Sequence, residues 1–104
     1  MNYRWLENDL ERALSRNSTI SDKKNALKTL IRTGFEIVME RENQFTPDLY
    51  WCVQSFGKWY PEEANKMGEV LNFYLHFEQK ADEIDSILEE FGGRIVKEFL
   101  KYMG

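Results

Sequence analysis

The sequence predicts an all-α fold, a bundle of about five mostly antiparallel helices that forms one domain over residues 1–104. Apolar residues recur at steps of three and four in successive segments, which indicates helices with one buried face. No segment alternates apolar and polar residues long enough to predict a strand. The 104 residues include only two prolines and six glycines, and 42% are hydrophobic. Such a chain can bury a core without disulfides or metals.

The first two helices are predicted over residues 3–16 and 22–42. The apolar face of the first is formed by Leu6, Leu10, Ala13 and Leu14. Ser21 is the predicted N-cap of the second helix, and Asp22 follows where the helix dipole favours a carboxylate. Gly34 interrupts the apolar stripe of the second helix and costs about 1 kcal/mol of helix propensity. We therefore expect another helix to approach closely at that glycine.

The third and fourth helices are each predicted to start at a proline. Thr46 is the expected N-cap of the third, with Pro47 at its first position and an early carboxylate after it. This helix is expected to stop near Gly57, and Pro61 is expected to start the next one.

A heptad-like seam runs from Met67 to the end of the chain. Its apolar positions are Met67, Val70, Tyr74, Phe77, Ala81, Ile84, Leu88 and Phe91. One continuous helix of this length would need an equally long partner, so a break is predicted near residues 76–80. The apolar phase continues across Gly92 and Gly93, where the last helix could bend. If the seam were exposed, it would let two copies associate as a homodimer.

Charge and composition make several classes of partner and site unexpected. The net charge is −4 at pH 7, whereas proteins that bind nucleic acid normally carry a basic excess. One cysteine allows no disulfide framework and no cysteine-based zinc site. No apolar run approaches the roughly 18 residues of a membrane span, and the polar start MNYRWLENDL predicts no signal peptide. A cytoplasmic protein with no membrane partner is therefore expected.

Two residues with possible chemistry are read as structural. His76 has only Glu78 nearby, and residues two apart on a helix do not face each other, so no metal site is predicted. Cys52 has no base or cation at helical spacing and is expected to be a small buried apolar residue.

The stretch YWCVQSFGKWY at residues 50–60 is the strongest candidate for a binding site. Helical phasing assigns Cys52, Val53 and Phe56 to the core. Four aromatic residues are left over: Tyr50, Trp51, Trp59 and Tyr60. Surplus aromatic residues with polar tips are typical of a ligand pocket or an interface, and in a small bundle they can equally cap the end of the core. Both interpretations stay open.

Three segments, taken in order, carry a family resemblance. They are NALKTLIR at 25–32, FTPDLYWC at 45–52, and FGKWYPEE at 56–63 leading to LNFYL at 71–75. This order resembles the α-helical C-terminal domain of DNA polymerase β superfamily nucleotidyltransferases, the aminoglycoside adenylyltransferase-like members above all. The resemblance covers about residues 21–103, which makes the first helix an added packing or linker helix.

The resemblance implies a substrate-binding domain that packs on a catalytic nucleotidyltransferase domain or subunit. Trp51 matches the tryptophan of the family's aromatic helix, and Arg32 matches the arginine that closes the first motif. Asp48 precedes the tryptophan at a shorter spacing than in the family. The family's catalytic domain needs a Gly-Ser turn and paired aspartates on strands, and this chain has neither. No catalytic residue is therefore expected here, and Mg²⁺ and the nucleotide would belong to the partner.

Two alternatives accompany this interpretation. The first is a helical-bundle interaction protein that self-associates through an exposed heptad seam. The second is the ribonuclease-type bundle that is often encoded beside minimal nucleotidyltransferases, which uses an arginine four to six residues before a histidine. No arginine lies in that window before His76, so ribonuclease activity is not predicted.

Overall fold

Five helices make up most of the computed structural model, which describes residues 3–42, 48–77 and 81–103. They are α1 Tyr3–Leu14, α2 Ile20–Glu42, α3 Leu49–Trp59, α4 Ala64–Leu75 and α5 Ala81–Met103. Those three ranges contain no strand. The all-α helical bundle predicted from the periodicity is confirmed. Within the same ranges, no helix is long and apolar enough to cross a membrane.

All five helices contribute to one hydrophobic core. Each helix contributes at least one side chain that is 0% exposed. From α1 to α5 these include Leu6, Leu30, Phe56, Val70 and Leu88. Complete burial of a side chain of this kind stabilises a fold by about 1.5–3 kcal/mol relative to leaving it exposed. Helix α1 is therefore a packing helix of the bundle. It ends at Leu14, two residues before the predicted end.

Helices α1 and α2 run antiparallel, as predicted for neighbours in the chain. Thr29 of α2 donates a hydrogen bond to Asp9 of α1 at 2.7 Å, and Lys23 donates to the Ala13 carbonyl at 2.9 Å. Later residues of α1 therefore contact earlier residues of α2, so the two helices run in opposite directions.

Helix α3 instead runs parallel to α2. Gly34 lies against Phe56, and Glu42 accepts a hydrogen bond from Trp59. The contacts thus advance in the same direction along α2 and α3.

Helix α2 starts at Ile20, two residues earlier than predicted. The Asp22 N–H donates to Thr19 Oγ1 at 3.1 Å, and the Thr19 N–H donates to Asp22 Oδ2 at 3.0 Å. This reciprocal pair is a capping box. The prediction of Ser21 as the N-cap was wrong, because Thr19 reaches the free backbone N–H and Ser21 already lies inside the helix.

Helix α3 starts after Asp48 and ends at Trp59, two residues beyond the end expected near Gly57. Asp48 is the N-cap, with an extended backbone and a carboxylate that accepts from the N–H groups of Tyr50 and Trp51. The expected start at Thr46 and Pro47 lies outside the described residues. Helix α3 continues through Gly57 to Trp59, because no residue in that last turn breaks its hydrogen bonding.

Residues 61–63 form a turn, and α4 starts at Ala64. The Glu63 N–H donates to the Tyr60 carbonyl at 2.9 Å and closes this turn. The predicted helix start at Pro61 was therefore three residues early. The predicted break between the last two helices is confirmed, since α4 ends at Leu75 and α5 starts at Ala81.

Two glycines permit close helix contacts. A Cβ on Gly34 would lie 2.5 Å from Met67 Cε and 3.3 Å from Phe56 Cδ2. The close approach predicted at Gly34 is confirmed. A Cβ on Gly92 would lie 2.8 Å from Leu10 Cδ2, so this glycine brings α1 close to α5 inside an unbroken helix.

The heptad-like seam lies inside the molecule. Met67, Val70, Ile84, Leu88 and Ile95 are each at most 1% exposed. The alternative of self-association through an exposed seam is contradicted, because α1 and α2 pack against the helices that carry the seam. Self-association would have to use another surface.

Candidate binding cleft

A cleft of about 300 Å³ lies between the end of α3, the turn that follows it, and the C-terminal half of α5. We call it the α3–α5 cleft. Its apolar and aromatic lining comes from Phe56, Trp59, Tyr60, Pro61 and Ile95. Its charged lining comes from Glu62, Glu63, Arg94 and Glu98. Two of the four surplus aromatic residues therefore line the same concave site.

Tyr60 supports one wall of the cleft. Its ring stacks on Phe56 with the centroids 4.9 Å apart and the planes 13° apart. Phe56 is fully buried and meets Phe91 edge to face at 6.5 Å. Because core aromatic rings back it, the half-buried Tyr60 ring is fixed in orientation. It both caps the core and lines the cleft.

Trp59 is fixed by polar and cationic contacts. Its indole Nε1–H donates to Glu42 Oε1 at 2.8 Å. The same oxygen lies 3.3 Å from Lys58 Nζ. The Arg41 guanidinium lies 5.3 Å from the ring centroid, within the range of a cation–π interaction. The side chain is still 39% exposed, so a ligand in the cleft can reach it.

The charges of the cleft are only partly neutralised. Arg94 Nη1 donates to both carboxylate oxygens of Glu63, at 2.7 and 2.8 Å. This hydrogen bond raises the pKa of Arg94. Glu98 lies 3.4 Å from the exposed Lys101 ammonium. Glu62 is exposed and makes no ion pair within the described residues. Three carboxylates and one guanidinium line the cleft, so its charge is negative.

Tyr50 and Trp51 do not belong to this cleft. They lie at the N-terminal end of α3, and Trp51 is about 12 Å from Trp59 along the helix axis at 1.5 Å per residue. Their rings meet edge to face at 5.5 Å and 80°. Both side chains are more than half exposed, at 54% and 56%. The structure therefore divides the four aromatic residues into two separate pairs.

The other two predicted site residues also lie outside the cleft lining. Asp48 caps α3, so its carboxylate already accepts from backbone N–H groups. Arg32 is half-buried on α2 and acts electrostatically on Cys52. The residues that the resemblance singled out by role therefore lie outside the cleft, whereas its third segment, residues 56–63, supplies six of the nine lining residues.

Cys52 is a buried residue of the core, 1% exposed, as predicted. Burial raises the pKa of its thiol, and the positive charge of Arg32 only partly opposes this effect. His76 is exposed at the C-cap of α4. In the part of the chain that the structure describes, no three His, Cys, Asp or Glu residues are grouped to hold a metal ion.

The sequence interpretation missed the charged half of the cleft. The sequence predicts a helix start at Pro61 and includes Glu62 and Glu63 in the family-like segment, but it predicts no site role for these three residues. Arg94 and Glu98 stand far along the chain, on a helix whose charged residues look like a solvated face. The aromatic residues before Pro61 were the one local signal of a site. Comparison with family models, curated proteins and solved structures finds no match for this chain.

Proposed function

We propose that this chain is a non-catalytic helical domain that binds a substrate or partner for a nucleotidyltransferase whose catalytic residues lie on another domain or subunit. The α3–α5 cleft carries this proposal. Protein ligand sites are typically concave, mostly apolar and furnished with a few polar groups, and the α3–α5 cleft has this composition. The resemblance of residues 21–103 supplies the link to nucleotidyltransferases.

The side chains with possible chemistry support a binding role. The Cys52 thiol is buried, and its raised pKa disfavours the thiolate that a nucleophile needs. Neither Cys52 nor His76 lines the cleft. On this proposal, Mg²⁺ and the nucleotide bind the partner, and this chain contributes contacts.

The exposed pair Tyr50–Trp51 is the proposed contact with the catalytic partner. Large aromatic side chains dominate the energetics of many interfaces. The edge-to-face contact at 5.5 Å fixes the two rings relative to each other, which reduces the entropy lost on binding. Trp51 is also the residue that matches the family's tryptophan.

The test is co-expression with each polymerase β-type nucleotidyltransferase of the native genome that has the Gly-Ser turn and paired aspartates. Affinity capture and native mass spectrometry should show a defined complex with one of them. The purified chain, given Mg²⁺ and nucleoside triphosphates, should transfer no nucleotide. Failure to bind any such enzyme, or transfer by the chain alone, would contradict the proposal.

We predict that Trp51→Ala weakens this complex by at least about tenfold, a loss of about 1.4 kcal/mol. The stability of the Trp51→Ala chain to urea should change little, because the Trp51 side chain is 56% exposed. Trp5→Ala is the matched control, since Trp5 lies on α1 and is also 56% exposed. Equal weakening by both variants, or a large loss of stability with unchanged binding, would exclude a contact role for Trp51.

The exposed Tyr50–Trp51 pair also favours a second candidate, an interaction protein that self-associates through this surface. Sedimentation over a range of concentrations separates the two candidates. A dimer that dissociates on dilution and is lost in Trp51→Ala would favour self-association.

A further inference from the structure

We propose that the α3–α5 cleft binds an alkyl-linked cation, an ammonium or guanidinium group of the kind a lysine or arginine side chain presents. The inference rests on the proposed binding role and adds the chemical class of the ligand. Three features support it: the unneutralised carboxylates, the aromatic walls and the size of the cleft.

The first feature is charge. Arg94 Nη1 donates to both oxygens of Glu63, so this pair is already satisfied. The nearest cation to Glu98 is Lys101, at 3.4 Å and 77% exposed, and such solvent-exposed ion pairs are weak. Glu62 makes no ion pair in the described ranges. Two carboxylates thus remain for an incoming cation.

The second feature is the aromatic lining. Arg41 and Lys58 already lie 5.3 Å and 5.8 Å from the centroid of the Trp59 ring, so this indole offers an incoming ligand apolar contact and not a free cation–π face. One face of Tyr60 is covered by Phe56, which leaves its other face and edges to line the cleft. Ring faces of this kind suit the methylene stem of a long cationic side chain, while the carboxylates take its head.

The third feature is the size of the cleft, which together with its charge disfavours nucleotides and other anions. A volume of about 300 Å³ is at the lower end for small-molecule sites. It has room for one extended side chain or a small amine. A nucleotide would bring its phosphates beside Glu62 and Glu98, where like charges repel. An anion held by Arg94 would have to displace Glu63 and leave that carboxylate without its partner.

The test is NMR titration of the purified ¹⁵N-labelled chain. The probes are a blocked tripeptide Gly-Lys-Gly, its arginine and norleucine analogues, and free cadaverine. The Trp59 indole N–H is the reporter, assigned through a Trp59→Phe variant. The lysine or arginine peptide, the free amine, or both should produce saturable shifts at millimolar concentration, which weaken as salt is added. The norleucine peptide should produce none.

The ratio of the peptide and free-amine affinities identifies the source of the cation. Tighter binding of the peptide indicates a basic side chain of a protein partner, and tighter binding of cadaverine indicates a free alkylamine. Either result supports the proposal.

Charge-neutral variants test the location of the cation. Glu98→Gln should weaken cation binding severalfold. The double variant, with both Glu98→Gln and Glu62→Gln, should weaken it more than tenfold. Glu89→Gln is the matched control, because it removes one exposed carboxylate from the opposite face of α5. Circular dichroism verifies that each variant is folded.

Three results would overturn the inference: no saturable shift with any cation, equal shifts with the norleucine peptide, or equal weakening by Glu89→Gln and Glu98→Gln. None of them depends on the nucleotidyltransferase partner. If the complex with that partner forms while cations do not bind, the inference fails and the proposed function stands. If cations bind and no partner is found, the nucleotidyltransferase link fails.

Discussion

Trp59 and Tyr60 line the same cleft but are held in place by different contacts. The Trp59 indole N–H is bound to Glu42, two cations lie near its ring, and part of the ring still lines the α3–α5 cleft. Tyr60, one residue later, stacks on Phe56 and continues the same wall. Tyr60 therefore both packs against the core and lines the cleft, whereas Trp59 lies at the surface.

Glu36 provides a residue-scale prediction on pH. It is half-buried on α2, and burial raises the pKa of its carboxyl. The folded state therefore holds this proton more tightly than the unfolded chain. The resulting stabilisation is fully present at pH values below the ordinary pKa of glutamate, and it is lost as the pH rises through the raised pKa of the folded state.

The variant for this prediction is Glu36→Gln, which cannot titrate. Urea unfolding at pH 7 and near pH 4 should show that the wild type gains stability relative to the variant at the lower pH. Glu89→Gln, on the exposed face of α5, measures the background effect of losing one carboxylate. If the difference between wild type and Glu36→Gln stays constant over this range, burial does not govern the Glu36 carboxyl.

At the element scale, the sequence predicted which segments form helices better than it predicted the residues at which each helix begins and ends. The period of apolar residues identified all five helices because a helix must present one face to the core. The N-cap of α2 is Thr19 and not Ser21, because Thr19 and Asp22 cap each other. The N-cap of α3 is Asp48, whose carboxylate accepts from the N–H groups of Tyr50 and Trp51.

Gly34 provides the element-scale prediction. Alanine gains about 1 kcal/mol of helix propensity over glycine, but a Cβ here would lie 2.5 Å from Met67 Cε. Met67 is fully buried and has little room to move. Gly34→Ala should therefore be less stable than Gly68→Ala by about 1–3 kcal/mol, the usual cost of overpacking.

Gly68 is a suitable control because it lies in α4 and a Cβ there would meet nothing within 4 Å. Gly68→Ala should be neutral or slightly stabilising. Urea denaturation of both variants makes the comparison. Equal stability would mean that α2 and α4 can separate slightly at no cost.

At the scale of the whole molecule, α1 completes the core even though the family resemblance starts after it. Its Leu10 fits against Gly92 of α5, and its Asp9 accepts a hydrogen bond from Thr29 of α2. The bundle thus closes around residues from both ends of the chain. A cooperative unit of this size should unfold in one transition.

Leu6 tests this closure. Leu6→Ala removes a fully buried side chain and should lower the free energy of unfolding by about 2–5 kcal/mol. Leu14→Ala, on the same helix and 38% exposed, should cost much less. Thermal unfolding followed by circular dichroism should show one transition in each case. A negligible effect of Leu6→Ala would mean that α1 is a dispensable linker.

By itself, the sequence determined the fold class, the break before α5, the burial of Cys52 and the close contact at Gly34. Each of these depends on local periodicity or on one residue's conformational cost. The tertiary structure decided which aromatic residues share a site and which charges join them. Tyr60 and Glu98 line one cleft only because the turn at 61–63 lies beside the C-terminal half of α5. No local pattern encodes that contact, since it arises from the packing of helices that are distant in the chain.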